Sequence, residues 1–391
     1  MKRIITCLFV FASILIPSTC WTALAAAEWY KGQLHCHSLW SDGDTLPELV
    51  FDWYRANGFH FVSLTDHNVL QTDKNNWKAV DQTLIQESRT KFGNDWVQTR
   101  EEDDKTLVRL KPMDELAEKL NAPGKFLIIP GHEQNATVAG RTLHANAVNI
   151  TETIPFPRNF PSLTEAAKQW RQSTLDNTEK SGLVGFWMLN HPDWPYYDIP
   201  PTVLIEAPEM EFLEHNMSSA PSFPRNPLMA DPEKYWDIVN SFRLLAGHKP
   251  VCWVAGDDAH RYRSFRDHGT NPGHGWVVVR AEKLDANTLF TAMKAGDFYS
   301  STGVEMKDIR FDTESKTLFV DVKPEEGVKY SIRFIGTKKG FDTAARSFDD
   351  PAVDRKPART GLIYSEEIGT TFKTVEGVSA YWRLVIMRAS V

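Results

Sequence analysis

The sequence predicts an α/β fold, a barrel of alternating strands and helices followed by an all-β appendage. Three observations carry that prediction. Strand-like and helix-like segments alternate from residue 28 to about residue 300, polar residues recur at the C-terminal ends of the strand-like segments, and beyond residue 300 only short alternating stretches between turn residues remain. Such alternation implies a parallel sheet, and a barrel of this kind carries its site on the face where its strands end. With 391 residues, 42% hydrophobic and 24% charged, the chain suits one large barrel or two domains and excludes wholesale disorder. Its formal net charge of −7 argues against general nucleic-acid binding.

Residues 1–27 read as an export signal. Lys2 and Arg3 provide the positive start, Ile4 to Leu15 the apolar run, and Ala23 to Ala27 the small residues a signal peptidase accepts. Pro17, Ser18 and Thr19 interrupt the run before a spanning length of about 20 residues, which favours a cleaved signal over a membrane anchor. Cleavage near Ala27 would leave a mature net charge of −9 and a periplasmic or extracellular protein with no integral membrane segment. Cys7 and Cys20 would leave with the signal, so Cys36 and Cys252 are expected as unpaired core thiols.

Trp29 to His37 reads as the first strand, and Thr45-Leu46-Pro47-Glu48 as a capping box opening a helix that runs to Asn57. Further strands are expected at Phe59 to Leu64, Phe126 to Ile129, His144 to Ile150, Leu183 to Asn190, Met210 to Glu214 and Val251 to Ala255. Helices are expected at Pro112 to Leu120, Ser162 to Ser173, Asp231 to Leu245 and Asp285 to Ala295. The stretch from Gln71 to Lys111 reads as a polar, irregular insertion beside the mouth. The division expected is a signal at 1–27, a barrel domain at 28–300 and a β-rich domain at 301–391, with strands at Thr317 to Val322, Lys329 to Ile335 and Tyr381 to Met387.

The chemistry concentrates at the strand ends. His35 and His37 stand at i and i+2, so a strand projects both from one face, close enough to hold one metal ion. Ser41-Asp42-Gly43 follows, Asp66-His67 ends the next strand, and Asp258-Ala259-His260 repeats the i, i+2 spacing after the last one. Glu133, His144 and His191 fall at or near strand ends between them. Imidazoles with a few carboxylates suit zinc, manganese or iron better than calcium. A carboxylate such as Glu133 suits bridging two ions, the arrangement that makes a hydroxide nucleophile at neutral pH. Signatures of zincins, serine hydrolases and P-loop proteins are absent from the sequence.

The order His35-x-His37, Ser41-Asp42-Gly43, Thr65-Asp66-His67-Asn68, Gly131-x-Glu133, His144, His191-Pro192 and Asp258-x-His260 resembles the PHP (polymerase and histidinol phosphatase) superfamily. Within it, His144-Ala145-Asn146 and the β tail look most similar to the branch containing carbaryl hydrolase. His132 before the glutamate, Asp257 where a small residue is usual, and the extra histidine in Glu214-His215-Asn216 depart from the pattern. The resemblance covers residues 28 to about 300 and implies a distorted, roughly seven-stranded (β/α) barrel with two or three divalent transition-metal ions, zinc, manganese or iron. It also implies the ligand sets: His35, His37, Glu133 and Asp258 for the first ion, Glu133, His144 and His191 for the second, and Asp42, His67 and His260 for the third. Asp66 is expected to orient a neighbour rather than bind metal.

Three divalent ions would outweigh Asp42, Glu133 and Asp258 in charge, which favours an anionic phosphoester over a neutral carbamate or ester. Glu133, Asp258 and His260 are the residues expected to carry catalysis. Asn216, Arg261 and Arg263 are the candidates for substrate contact. Together with Arg266, the two arginines read either as a phosphate clamp or as a solvated basic loop. His60 reads as a structural histidine, and His215 as either a site residue or a loop anchor. The leading reading is an exported metal-dependent hydrolase of small-molecule phosphoesters. Its alternatives are a carbamate or carboxylic ester hydrolase with the same site, and a secreted metal-containing binding module without catalysis.

Overall fold

The computed structural model describes residues 27–391 apart from 195–196, 218–226, 264–269, 313, 316, 350–358, 373–377 and 391. The expected signal and Arg266 therefore lie outside the described residues, save for Ala27. In chain order the first elements are β1 (Glu28–Gln33), α1 (Pro47–Ala56) and β2 (Phe61–Leu64). An insertion follows with β3 (Trp77–Ala79), α2 (Gln82–Phe92), β4 (Thr99–Glu102) and β5 (Lys105–Arg109), and then α3 (Met113–Leu120). The centre of the chain forms β6 (Leu127–Val138), β7 (Arg141–Val148), α4 (Leu163–Lys180), β8 (Phe186–Leu189), α5 (Thr202–Ile205) and β9 (Phe212–Asn216). α6 (Pro232–Leu245), β10 (Cys252–Gly256), β11 (Trp276–Ala281), α7 (Ala286–Ala295) and β12 (Phe298–Ser301) complete this part. The tail contains β13 (Met306–Asp312), β14 (Thr317–Val322), β15 (Val328–Lys338), β16 (Arg346–Asp349), β17 (Thr360–Ile363), β18 (Thr370–Phe372) and β19 (Val378–Ser390).

One nine-stranded sheet runs in the order β10-β9-β8-β7-β6-β2-β1-β11-β12. β2 and β8 are buried along their whole length, as strands covered on both faces must be. Beyond the ends of β1 and β10, Asp258 N donates to His35 O at 3.0 Å and His37 N to Ala259 O at 2.9 Å, which brings the sheet nearly to a closed barrel.

The expected all-parallel, roughly seven-stranded pattern is corrected. β1–β2, β2–β6, β8–β9 and β9–β10 are parallel, but β6–β7, β7–β8, β1–β11 and β11–β12 are antiparallel. The cause lies at Ala139 and Gly140, whose φ values of 48° and 74° suit a two-residue hairpin turn and send β6 straight back as β7. The capping box at Thr45 does not form either. The helix starts at Pro47, and the Glu48 carboxylate turns inward to accept from Ser88 Oγ at 2.7 Å. Nor is the 71–111 insertion irregular. It folds as a β3-β5-β4 sheet with α2, whose N-cap Asp81 accepts from Leu84 N at 2.8 Å.

The tail packs on α6 through Ile238, Phe341, Tyr364 and Ile368. No helix among the described residues is long and apolar enough to cross a membrane. Behind β7 and β8, Trp170 of α4 is wholly buried in the largest core cluster. Trp170→Ala should therefore lower the unfolding free energy by about 3–5 kcal/mol in urea melts. Leu245→Ala, at a side chain 60% exposed, should shift it by less than about 0.5 kcal/mol.

Candidate metal centre

Two backbone features aim the candidate ligands into one bowl at the C-terminal rim of the sheet. The first is period-two alternation. His35 and His37 face the bowl, while Cys36 between them turns away and donates through Sγ to Ser63 O at 3.3 Å. In the β6–β7 hairpin Glu133 lies opposite Asn146 and Asn135 opposite His144, so all four share the inner face. The second feature is left-handed backbone at Asn68, His191 and Asp258, with φ of 56°, 23° and 48°. Such a conformation costs a non-glycine residue of order 1 kcal/mol, and here it turns two candidate ligands inward.

Four groups of potential ligand atoms result: His35, His37, Glu133 and Asp258; His37, Asp42, His67 and His260; His67, Glu133 and His144; and His35, His191 and Glu214. In the first, His35 Nε2 is 3.2 Å from both His37 Nε2 and Asp258 Oδ1 and 3.3 Å from Glu133 Oε1. His37 Nε2 is 3.0 Å from Asp258 Oδ1 and 3.6 Å from Glu133 Oε2. Four donors held at zinc distances in a tetrahedron stand about 3.4 Å apart, so this spacing fits a transition-metal ion. The donor chemistry fits as well. Glu133 Oε2 and His67 Nδ1 are buried and 2.8 Å apart, yet neither makes a hydrogen bond.

His35, His37, His67 and Glu133 each belong to two of the four groups, and Glu133 is the carboxylate among them. His144 Nδ1 lies 2.9 Å from its Oε1 and His191 Nε2 3.6 Å, while Asn190 donates to Oε1 at 2.7 Å. At the outer edge Asp42, 57% exposed, faces His260 Nε2 at 3.2 Å and His67 Nε2 at 3.7 Å. The turn carrying Asp42 is held by Asp66, which accepts from Ser38 N and Oγ, Ser41 N and Oγ, and Gln71 Nε2. A Cβ on Gly43 would stand 2.7 Å from the His37 carbonyl, so this turn needs its glycine.

Burial opposes charge throughout the bowl, yet the groups charge one another. His144, His35 and His67 outweigh burial and hold the Glu133 carboxyl well below the usual range. Burial is likewise outweighed at His35 by Glu214, Asp258 and Glu133, at His191 by Glu133 and Asp258, and at His260 by Asp258 and Asp42, and all three are raised. His67 is raised to about 9 because Glu133 and Asp42 overcome its desolvation. His37 goes the other way, to about 3, through burial and the neighbouring His260 and His67. Without a metal, imidazolium protons therefore balance the buried carboxylates.

Of the other residues singled out, Asn216 donates to Asp258 Oδ2 at 2.8 Å, so its amide supports a candidate ligand. Arg263 is corrected. Its guanidinium is held by Asp81, at 2.6 and 3.3 Å, and ties the loop to the insertion instead of facing the bowl. Arg261 is exposed and bonds Thr270 O through its backbone nitrogen. His215 points away from the bowl and packs on Trp253 with ring centroids 5.0 Å apart. His60 Nδ1 accepts from Lys31 N, and Asp257 accepts from the backbone of Gly273, His274 and Gly275, so both are structural.

Three residues escaped the sequence reading. Glu214 Oε1 lies 2.7 Å from His35 Nδ1, Asn190 supports Glu133, and Tyr197 OH lies 3.2 Å from His144 Nε2. The Glu214-x-Asn216 spacing was a usable signal, since it matches the i, i+2 pattern at His35 and Asp258. Tyr197 carried none, because its loop has no periodicity.

No family model and no curated protein matches the chain. Among solved structures, it is similar to a two-domain protein from Bacteroides vulgatus, described as containing a predicted PHP-like metal-dependent phosphoesterase. Identity is 15% over 89% of this chain and 88% of that one, with a TM-score of 0.39. A candidate metal-dependent phosphoesterase from Bifidobacterium adolescentis aligns at 12% identity over 62% of this chain and 92% of its own, with a TM-score of 0.32. An amidohydrolase from Chromobacterium violaceum, with bound sulfate and no metal, aligns at 13% over 61% and 93%, with a TM-score of 0.29. The likeness to the carbaryl hydrolase branch rests on the sequence alone, and the functional reading rests on the side chains described above.

Metal ligation requires neutral imidazole, so loading must expel protons. His67 is charged below its raised value of about 9 in the metal-free protein, whereas a free histidine loses its proton near 6.5. Between these limits zinc binding should release about one proton or more per chain, and the His67 share should disappear as pH rises above about 9. Calorimetry at pH 7.5 in buffers of different ionisation enthalpy measures this, and zero release would contradict the assignment.

Proposed function

We propose that this chain is an exported, metal-dependent hydrolase that cleaves small-molecule phosphoesters with two or three divalent ions. One observation carries the reading: the ligand groups interlock through Glu133, His35, His37 and His67 in a single bowl at the C-terminal rim of the sheet. Isolated structural metal sites close around one ion, whereas shared carboxylates suit ions that act together. His35, His37, Glu133 and Asp258 would hold the first ion, Glu133, His144 and His191, with His67 near them, the second, and Asp42, His67 and His260 the third. Bound there, divalent ions supply a water of lowered pKa and neutralise phosphoryl oxygens. Export is read from residues 1–27 of the sequence.

The chain's own groups have distinct tasks in this account. Glu133 keeps the sub-sites together, and Asn190 and Asn216 fix the Glu133 and Asp258 carboxylates. His260 and the exposed Asp42, 3.2 Å apart at the mouth, put the third sub-site at the solvent edge of the bowl. Trp194 and Tyr197 flank His191 with ring centroids 5.4 and 5.5 Å away, an aromatic wall beside the reacting group. Burial raises the Tyr197 hydroxyl above its ordinary value, so it stays neutral and able to donate. With all three ions bound, their charge exceeds that of Asp42, Glu133, Glu214 and Asp258, and this surplus, which two ions would not leave, favours an anionic substrate.

The test compares an aryl phosphate with an aryl methylcarbamate at equal concentration, using residues 28–391 loaded with manganese or zinc. The phosphate should be the faster substrate. Asp258→Ala should lower its kcat/KM by at least about 100-fold, more than the 10–100-fold typical of losing a residue behind the ligands. Faster carbamate cleavage would transfer the assignment to an ester hydrolase using the same residues. Tight metal binding without turnover of either would mark a binding module.

A further inference from the structure

Glu214 belongs to none of the three ligand sets implied by the sequence, yet it is wholly buried against one of them. Alternation along β9 puts Glu214 and Asn216 on the face turned to the bowl and His215 on the other. Glu214 Oε1 stands 2.7 Å from His35 Nδ1, and both side chains are fully buried. An ionised carboxylate only accepts, so the hydrogen of His35 is on Nδ1. Once the ring is neutral, as ligation requires, this is its one N–H, and the Nε2 lone pair is directed at His37 Nε2, Asp258 Oδ1 and Glu133 Oε1, 3.2–3.3 Å away.

The neighbouring strand makes room for this contact. Gly256 of β10 lies opposite Asn216, and a Cβ on it would stand 2.0 Å from Glu214 Oε1. At the corresponding nitrogen the nearest partner of three other histidines is neutral, and the nearest carboxylates stand farther off, 3.6 Å from His260 Nδ1 and 3.9 Å from His37 Nδ1. His260 Nδ1 bonds the Asp258 backbone carbonyl at 2.7 Å, His144 Nε2 faces Tyr197 OH at 3.2 Å, and His37 Nδ1 faces Ser41 Oγ at 3.4 Å.

We infer that Glu214 is a positioning residue that locks the tautomer of His35 and strengthens its donation, so that the group of His35, His37, Glu133 and Asp258 fills first and most tightly. A carboxylate hydrogen-bonded behind a ligating histidine fixes ring orientation and raises basicity, whereas a carbonyl or hydroxyl adds no full charge. The inference rests on the metal-centre reading proposed above. Direct ligation by Glu214 through His35 Nδ1 is the competing arrangement, and it would require His35 to lose its remaining hydrogen and bridge two ions as an imidazolate.

The test is a stepwise zinc titration of the metal-free protein, residues 28–391, against a chromophoric chelator. It is paired with nitrogen NMR of the 15N-histidine-labelled, zinc-loaded chain, with His35→Gln used to assign the His35 signals. Glu214→Gln keeps an acceptor of the same shape without the charge, and Gly256→Ala displaces the carboxylate while keeping its charge. Both should weaken the first zinc step by about 10–100-fold and leave later steps within about threefold, with wild-type His35 protonated at Nδ1. Preserved later steps also report an intact fold. First-step affinities equal to wild type, equal losses at every step, or an Nδ1 without hydrogen would overturn the inference. A wild-type chain that takes up no zinc or manganese would instead overturn the metal-centre reading.

Discussion

The arrangement depends on one buried carboxylate. Glu133 is fully buried and has imidazole nitrogens of His67, His144, His35, His37 and His191 at 2.8, 2.9, 3.3, 3.6 and 3.6 Å. A carboxylate removed from water costs several kcal/mol unless positive charge compensates it. His35, His67 and His191 provide that charge as imidazolium, or divalent ions provide it while these histidines turn neutral and ligate. This exchange of protons for metal links the electrostatics of the bowl to its proposed chemistry.

The fold is organised to hold that carboxylate. The β6–β7 hairpin brings Glu133 and His144 onto one face, and the near-closure of the sheet at Cys36 and Ala259 carries His35, His37, Asp258 and His260 to the opposite side of the bowl. Three left-handed residues complete the turn-in of the rim. The tail also reaches this region. Arg359 pairs with Asp198, beside Tyr197, and its Nη2 donates to Gly140 O at 2.8 Å at the hairpin turn. A segment far along the chain thereby braces both the aromatic wall and the strand pair carrying Glu133.

Much of the site was legible because period-two alternation survives in the bare sequence. His35-x-His37 and Asp258-x-His260 each put two ligand types on one face, and the structure brings both pairs together with Asp42, His67, Glu133, His144 and His191. Strand direction was not legible. Nothing in Val138-Ala139-Gly140-Arg141 resembles the Asn-Gly or Asp-Gly dipeptide that announces a hairpin, so β7 read as another parallel strand. Strands β11 and β12 escaped because a parallel pattern leaves no place for an antiparallel edge. Arg263 misled for a different reason: a guanidinium near a metal motif fits a phosphate and an aspartate equally, and Asp81, which captures it, lies 182 residues away.

The central claim is that Glu133 holds two ions together. Anomalous diffraction from manganese-loaded crystals, recorded on both sides of the metal absorption edge, tests it most directly. The account predicts at least two peaks, a pair of them about 3.5–4 Å apart with the Glu133 carboxylate between them. A single peak, or peaks that leave Glu133 without a metal neighbour, would contradict it.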